Sequence, residues 1–422
     1  MNILVHTWWF SKNRGSEFAV AYNFCKEMSK RHHLYVLVES CSYKWNDLSE
    51  FNDGGGYDEL TNVDFITVPY KNGFLERFCK GVLSYFLFKD WECGVYRYIK
   101  KSGLLEKIDL IHYAAPVGYR ELGFLHKFGK PYVWGPFGGM YQIPSDFIRE
   151  VPAKVRLVWR MKNLLNAVQF HSPRIRRVFE WADALIACTK TQRDMVNRLL
   201  KNNVCRYLPE NGIDYEKQQA VSDDFIERKF NGQCIDILWI GTNCLRKMPR
   251  LLLDSLAKCG AENFRCSFVG EGCTELAARV QDERLLSRLS FSDSIPKEKV
   301  LALYTDAHLL VITSAMESNT TVLFEALENC VPVMTVDHCG MADVVKHEST
   351  GVKIPVSAYE TMCTSFASQI DQVCKDIGLL KMFARNIKSS SYEYSHEYRM
   401  NFFEKCYEDA ISVYKDKAGG AR

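Results

Sequence analysis

The chain has 422 residues, 47% of them hydrophobic and 25% charged, a length beyond one ordinary domain and suited to two of about 200 residues, each with its own core. Its 54 basic and 51 acidic residues leave a net charge of +3, which excludes a chain built as a whole to grip nucleic acid and makes any electrostatic preference local. The sixteen cysteines are scattered, with no C-x-x-C pair and no zinc-site spacing, and no apolar run reaches the roughly 18 to 20 residues needed to cross a bilayer.

Reduced thiols in a cytoplasmic protein, with at most peripheral membrane contact, are therefore expected. The opening NILVHTWWF has no basic flank and no small-residue cleavage site, so it reads as a first buried strand rather than a leader. It is followed by KNRGSEFAV, where Gly15 and Ser16 sit between strand and helix in a turn able to cradle an anion. Apolar runs HLYVLVES, DFITVPY, DLIHYAA, PYVWGPF and ALIACTK then alternate with helical stretches, which is the βαβ rhythm of a parallel sheet. His112 closes one of these strands; a lone histidine there serves either as a satisfied core residue or as a substrate contact. Gly138 and Gly139 lie in the following Gly/Pro loop, on what would be the acceptor side.

Between 151 and 179 there are seven basic residues, Lys154, Arg156, Arg160, Lys162, Arg174, Arg176 and Arg177, and no acidic one, interleaved with Val, Leu, Trp and Phe. Such a segment either docks on anionic lipid or packs its apolar side on its own domain. Turn formers in KNNVCRYLPENGIDYE, about 200–216, mark a linker. The rhythm then restarts with IDILWIGT and runs through FRCSFVG, RLSFSDS, HLLVITS and PVMTVD. The expected architecture is α/β: two doubly wound, Rossmann-like parallel-sheet domains, 1–205 and 206–385, facing across a cleft, with a terminal helix over 386–422 packing back toward the first. Open parallel sheets bind ligands where loops leave the carboxyl ends of strands, so that is where chemistry is expected.

The richest such stretch is ESNTTVLFEALENCVPV. Ser318, Asn319 and Thr320 are cap-type residues at a helix start, Glu317 precedes it, and Glu325 lies about a turn inside. A carboxylate accepts two hydrogen bonds and so suits the vicinal hydroxyls of a sugar or ribose; alone, the pair could equally be a capping acid and a solvated helix residue. Arg246 and Lys247, on the loop after the first strand of the second half, suit a diphosphate. Gly241 ends that strand, while Gly270 and Gly272 form the Gly-x-Gly turn of SFVGEG.

In order along the chain, GSE, RK, ENGID, VGEG, Glu317/Glu325 and EAL…PV…CGMADVV…TG resemble the retaining glycosyltransferases of family 4, which have the GT-B fold. The resemblance covers nearly the whole chain. It implies a metal-independent retaining glycosyltransferase that moves a hexose-type sugar from a UDP- or GDP-linked donor to a saccharide or lipid-linked saccharide, in bacterial surface polysaccharide assembly. By the same resemblance Glu317, Arg246, Lys247 and His112 are catalytic; Glu325, Gly15, Ser16, Ser318, Asn319, Thr320, Thr321, Gly241, Gly270 and Gly272 bind the donor. It implies no cofactor beyond the nucleotide sugar, no metal and no nucleic-acid partner; anionic membrane contact through 151–179 would place the protein at the inner face of the cytoplasmic membrane. The chain departs from the family pattern at Ser318, Met248 and Thr242, and at Ala114, where a second histidine is common. A nucleotide-sugar 2-epimerase on the same fold, or a nucleotide-sugar-binding protein without turnover, are the alternatives.

Overall fold

The computed structural model describes residues 1–12, 17–39, 57, 59–68, 70, 84–202 and 204–419. The chain divides into two compact units, one of Met1–Met140, Asn166–Glu210 and Glu397–Arg422, the other of Tyr141–Leu165 and Asn211–His396. Each is built on one parallel sheet.

In the first unit the strands are β1 (Asn2–Trp8), β2 (His33–Glu39), β3 (Val63–Val68), β4 (Leu110–Tyr113), β5 (Tyr132–Phe137), β6 (Ala184–Ala187) and β7 (Cys205–Tyr207), in the order β3-β2-β1-β4-β5-β6-β7. Every residue of β4, β5 and β6 is buried, because helices cover both faces of a parallel sheet. Successive side chains alternate between two cores: Leu4 packs with Trp91, Ile111 and Leu185, whereas Ile3 and Val5 pack with Phe24, Val36 and Ile186. The second of these cores is completed by the terminal helix His396–Gly419, whose Phe403, Cys406, Tyr407 and Ala410 are fully buried in it. Arg399 ties that helix to the carbonyls of Pro209 and Glu210.

The second unit carries β8 (Ile235–Ile240), β9 (Phe264–Val269), β10 (Leu289–Ser292), β11 (Leu309–Ile312), β12 (Val333–Val336) and β13 (Gly351–Ile354), in the order β10-β9-β8-β11-β12-β13. Its main core gathers Ile237, Phe268 and Val311 together with Phe147, Ile148 and Trp159. Residues 141–165 therefore belong to this unit's core, although they lie well before the sequence boundary at 205/206. The later changeover, Glu210/Asn211, falls inside the turn-rich stretch 200–216. That stretch also holds β7, which pairs with β6 through Leu185 and Cys205; three residues between turn formers leave no periodic signal.

The two sheets share one feature of connection. Each grows outward in one direction from its first strand and then resumes on that strand's other side, so β1 lies beside β4 and β8 beside β11. At such a switch point the two following loops part in opposite directions, and open α/β sheets bind ligands there.

Candidate functional site

β8 and β11 pair through Leu309–Ile237 and Leu310–Leu238, so the loops leaving their carboxyl ends start side by side. They are then knitted together. The amide of Ala315 donates to the carbonyl of Arg246 at 2.9 Å, and the Thr313 hydroxyl donates to the carbonyl of Lys247 at 2.8 Å. Thr313 is itself held by the indole N–H of Trp239 at 3.0 Å.

This backbone stitching brings Arg246 and Lys247 to one carboxylate. Lys247 Nζ lies 2.5 Å from Glu317 Oε1; Arg246 pairs with the same oxygen and also donates to the carbonyl of Met316 at 3.3 Å. The side chains of Glu317 and Lys247 are 13% and 15% exposed, that of Arg246 41%. Two cations share one anion in a partly dry setting, leaving a net positive charge at the carboxyl end of the sheet. Charge-assisted contacts of this kind are stronger and better oriented than exposed ones, and the most exposed member is the guanidinium.

Glycines let the neighbouring loops close in. Gly270 has φ +137°, and a Cβ there would fall 2.2 Å from the carbonyl oxygen of Gly241. With that contact made, the amide of Asn243 reaches the carbonyl of Glu271 at 2.8 Å and its side chain that of Gly272 at 3.0 Å. The glycines Gly241, Gly270 and Gly272, expected to approach a ligand, are thus engaged first in loop-on-loop packing. Gly340 plays the same part on the other side: a Cβ there would lie 1.6 Å from the carbonyl oxygen of Ser318.

The helix Thr321–Glu328 begins at this point. Ser318, Asn319 and Thr320 were expected to cap it, yet Thr320 at the N-cap makes no side-chain capping bond. Thr320 and Asn319 are buried. The first amides of the helix therefore have no hydroxyl from the N-cap, and an anion would find them with the favourable end of the helix dipole. Glu325 sits one turn in, half-buried, with Tyr304 Oη donating to its Oε2 at 2.9 Å. Burial holds its carboxyl above the usual range, while the bond from Tyr304 pulls the other way.

The residues expected in the first unit fare differently. Gly15 and Ser16 lie outside the described residues. His112, expected as a catalytic residue, is instead a core residue: it is fully buried, with Tyr407 Oη 2.7 Å from Nδ1 and the Gly135 carbonyl 2.7 Å from Nε2. Burial lowers its pKa from the ordinary 6.5 to about 4, so the ring is neutral. Gly138 is likewise committed, its amide donating to Val117 O at 2.7 Å and its carbonyl accepting from Tyr119 N at 3.0 Å. Gly139 adopts φ +86° beside Tyr119, a turn that glycine makes without strain.

Sequence reasoning passed over Tyr304, Thr313 and Trp239, which position the charged residues without being charged themselves. It also passed over Glu17, whose carboxyl is raised to about 7 by burial and by the nearby Glu121. The GSE motif contains Glu17, but only packing reveals its neighbour.

Residues 222–390 match the family Glycosyl transferases group 1, a span that includes Arg246, Lys247, Glu317 and Glu325; this part of the chain is a domain of that group. An uncharacterized glycosyltransferase of Methanocaldococcus jannaschii is 25% identical over 214 residues, 49% of each chain. The chain thus spans about half the length of that curated relative. Among solved structures, HepE of Anabaena in complex with UDP aligns over 100% of this chain and 99% of its own at 15% identity, with a TM-score of 0.57. The lipopolysaccharide-biosynthesis glycosyltransferase WaaG aligns over 95% and 99%, at 15% identity and a TM-score of 0.56. These likenesses show the fold, two Rossmann-like parallel-sheet units of the GT-B kind.

Proposed function

We propose that the protein is a metal-independent, retaining glycosyltransferase of family 4. It moves a hexose-type sugar from a UDP- or GDP-linked donor to a saccharide or lipid-linked saccharide, in bacterial surface polysaccharide assembly at the inner face of the cytoplasmic membrane. The observation that carries this reading is the Arg246–Glu317–Lys247 cluster at the switch point of the domain that matches the group. HepE was solved with UDP and with UDP-glucose, which supports a nucleotide-sugar donor; the lipopolysaccharide role of WaaG supports the pathway.

In this reading Arg246 and Lys247 take the diphosphate, helped by the amides of Thr321 and its neighbours at the helix end. Glu317 accepts hydrogen bonds from donor-sugar hydroxyls, and Glu325, oriented by Tyr304, takes the ribose hydroxyls. The bond between the anomeric carbon and the diphosphate oxygen breaks, and its electron pair stays on the diphosphate. In this reading the two cations held together at Glu317 stabilise the charge that develops there, with little reorganisation. The acceptor hydroxyl attacks from the same face, and its proton passes to the departing phosphate oxygen. His112 has no part in this reading, because its ring is buried and hydrogen-bonded through both nitrogens.

The test is a thermal-shift panel of UDP-, GDP- and ADP-sugars, with Glu325→Ala as control. A UDP- or GDP-sugar is expected to raise the melting temperature of the wild type and not of the variant. No response from any donor, or an equal response in both proteins, would overturn the assignment.

A further inference from the structure

The helix Ala153–Phe170 has two apolar faces, and among the described residues one of them is packed inward. Trp159, Asn166 and Phe170 point inward and are buried. On the opposite side Leu157, Val158, Met161, Leu164, Leu165 and Val168 are each between 51% and 65% exposed. At 100° per residue these six occupy one arc of about 120°, and over their length the helix rises roughly 16 Å. Outward-facing Leu and Val in such a row are not ordinary surface scatter, and a patch of this kind marks an interaction site.

The charges around the stripe narrow the partner. Lys154 lies on its amino-terminal end and Arg160 along its edge, both exposed. On the next helix, Pro173–Trp181, Arg174, Arg176 and Arg177 are exposed too, and Trp181 is 47% exposed. Of these, Arg176 is paired with Glu180 and Arg174 reaches the Tyr85 hydroxyl at 3.1 Å. No acidic residue occurs from 151 to 179. An apolar strip bordered by cations lies in the headgroup region of an anionic bilayer with its apolar side in the acyl boundary.

A second copy of the chain is a poorer fit. A specific protein interface covers about 800 Å² on each partner and needs a complementary shape, whereas this strip is one helix face, convex and roughly 16 Å long. A fluid lipid phase accepts a lone convex strip without complementarity. Among the described residues no helix is long and apolar enough to cross a membrane, so this mode of contact is in-plane.

We propose that the outward face of Ala153–Phe170, with its flanking Lys and Arg residues, docks this protein on an anionic lipid bilayer. The docking stands on the helix alone; its use, presenting a lipid-linked acceptor, rests on the glycosyltransfer reading, and vesicle binding is measured without any turnover.

The experiment is flotation of the full chain with vesicles of phosphatidylglycerol and phosphatidylcholine, and with phosphatidylcholine alone. The wild type is expected to float with the anionic vesicles and to be released at least tenfold by high salt. The triple substitution Leu157→Ser, Leu164→Ser, Val168→Ser should lose at least tenfold in binding with an unchanged melting temperature, and Lys154→Glu with Arg160→Glu should do the same. A wild type that stays unbound, or a serine triple that binds as well as wild type, overturns the proposal. So does a wild-type dimer in sedimentation equilibrium that the serine triple makes monomeric, since the stripe would then be covered by a second copy.

Discussion

The switch point of the first sheet and that of the second have the same strand order and opposite chemistry. Beside β1 and β4 the histidines are buried and hydrogen-bonded through both ring nitrogens. His6 stacks on Tyr113 with centroids 4.0 Å apart, meets Glu92 through Nε2 and lies 2.6 Å from the Ala115 carbonyl through Nδ1. His112 is satisfied by Tyr407 and Gly135 and stays neutral, and the Glu17 carboxyl is raised to about 7 by burial. Beside β8 and β11 three ionised side chains share one partly exposed cluster. Topology decides where two loops part; desolvation decides whether the groups found there carry charge. In the first sheet burial holds His112 neutral, and in the second Glu317 lies between two cations.

The sharpest way to break this contrast is to remove a charge from the second switch point. Lys247→Ala should lower the turnover of the donor identified in the panel by at least about a hundredfold, roughly 3 kcal/mol of lost charge stabilisation. The melting temperature should move little. His112→Asn should leave turnover within about twofold, and an equal loss in both would show that the two switch points work alike.

A smaller effect separates His112 and Glu17 of the first unit by pH. The folded protein resists protonating His112, so its contribution to stability is full above about 6.5 and is lost as pH falls toward 4. Glu17 has the opposite sign: its raised pKa contributes stability below about 4.5 that is lost as pH rises through about 7. Between these limits the two oppose each other in the wild type. Urea titrations at several pH values should show Glu17→Gln losing stability more steeply on acidification than wild type, and His112→Asn less steeply, each by up to about 1 kcal/mol per pH unit.

The smallest effect tests Glu325. Tyr304→Phe removes the hydroxyl that stabilises the ionised carboxylate, so the acid limb of donor binding should move to higher pH. A shift to lower pH, read by thermal shift across pH 5 to 8, would contradict the hydrogen-bond assignment.

Much of this was legible beforehand because strands buried on both faces read as plain apolar runs; both sheets were visible for that reason. The strands β7 and β13 were not. One is three residues long among turn formers, and the other begins with Gly351, needed because a Cβ would fall 2.0 Å from the Val333 carbonyl oxygen. His112 was legible as a strand-end histidine but not as a core residue, since its partner Tyr407 lies 295 positions away.

From the sequence alone came the βαβ rhythm, the helix start after β11, the charged residues of the second half and the basic run 151–179, all of which are local patterns of polarity and turn chemistry. Only the tertiary structure decided which of them meet. Glu317 reaches Arg246, 71 positions away, because the strand order sets β11 against β8. Likewise, a helix with apolar residues on both sides has no periodicity that says which side is inner. Packing of Trp159 and Phe170 into the cores turned the Leu157–Val168 face outward, and that choice belongs to the fold.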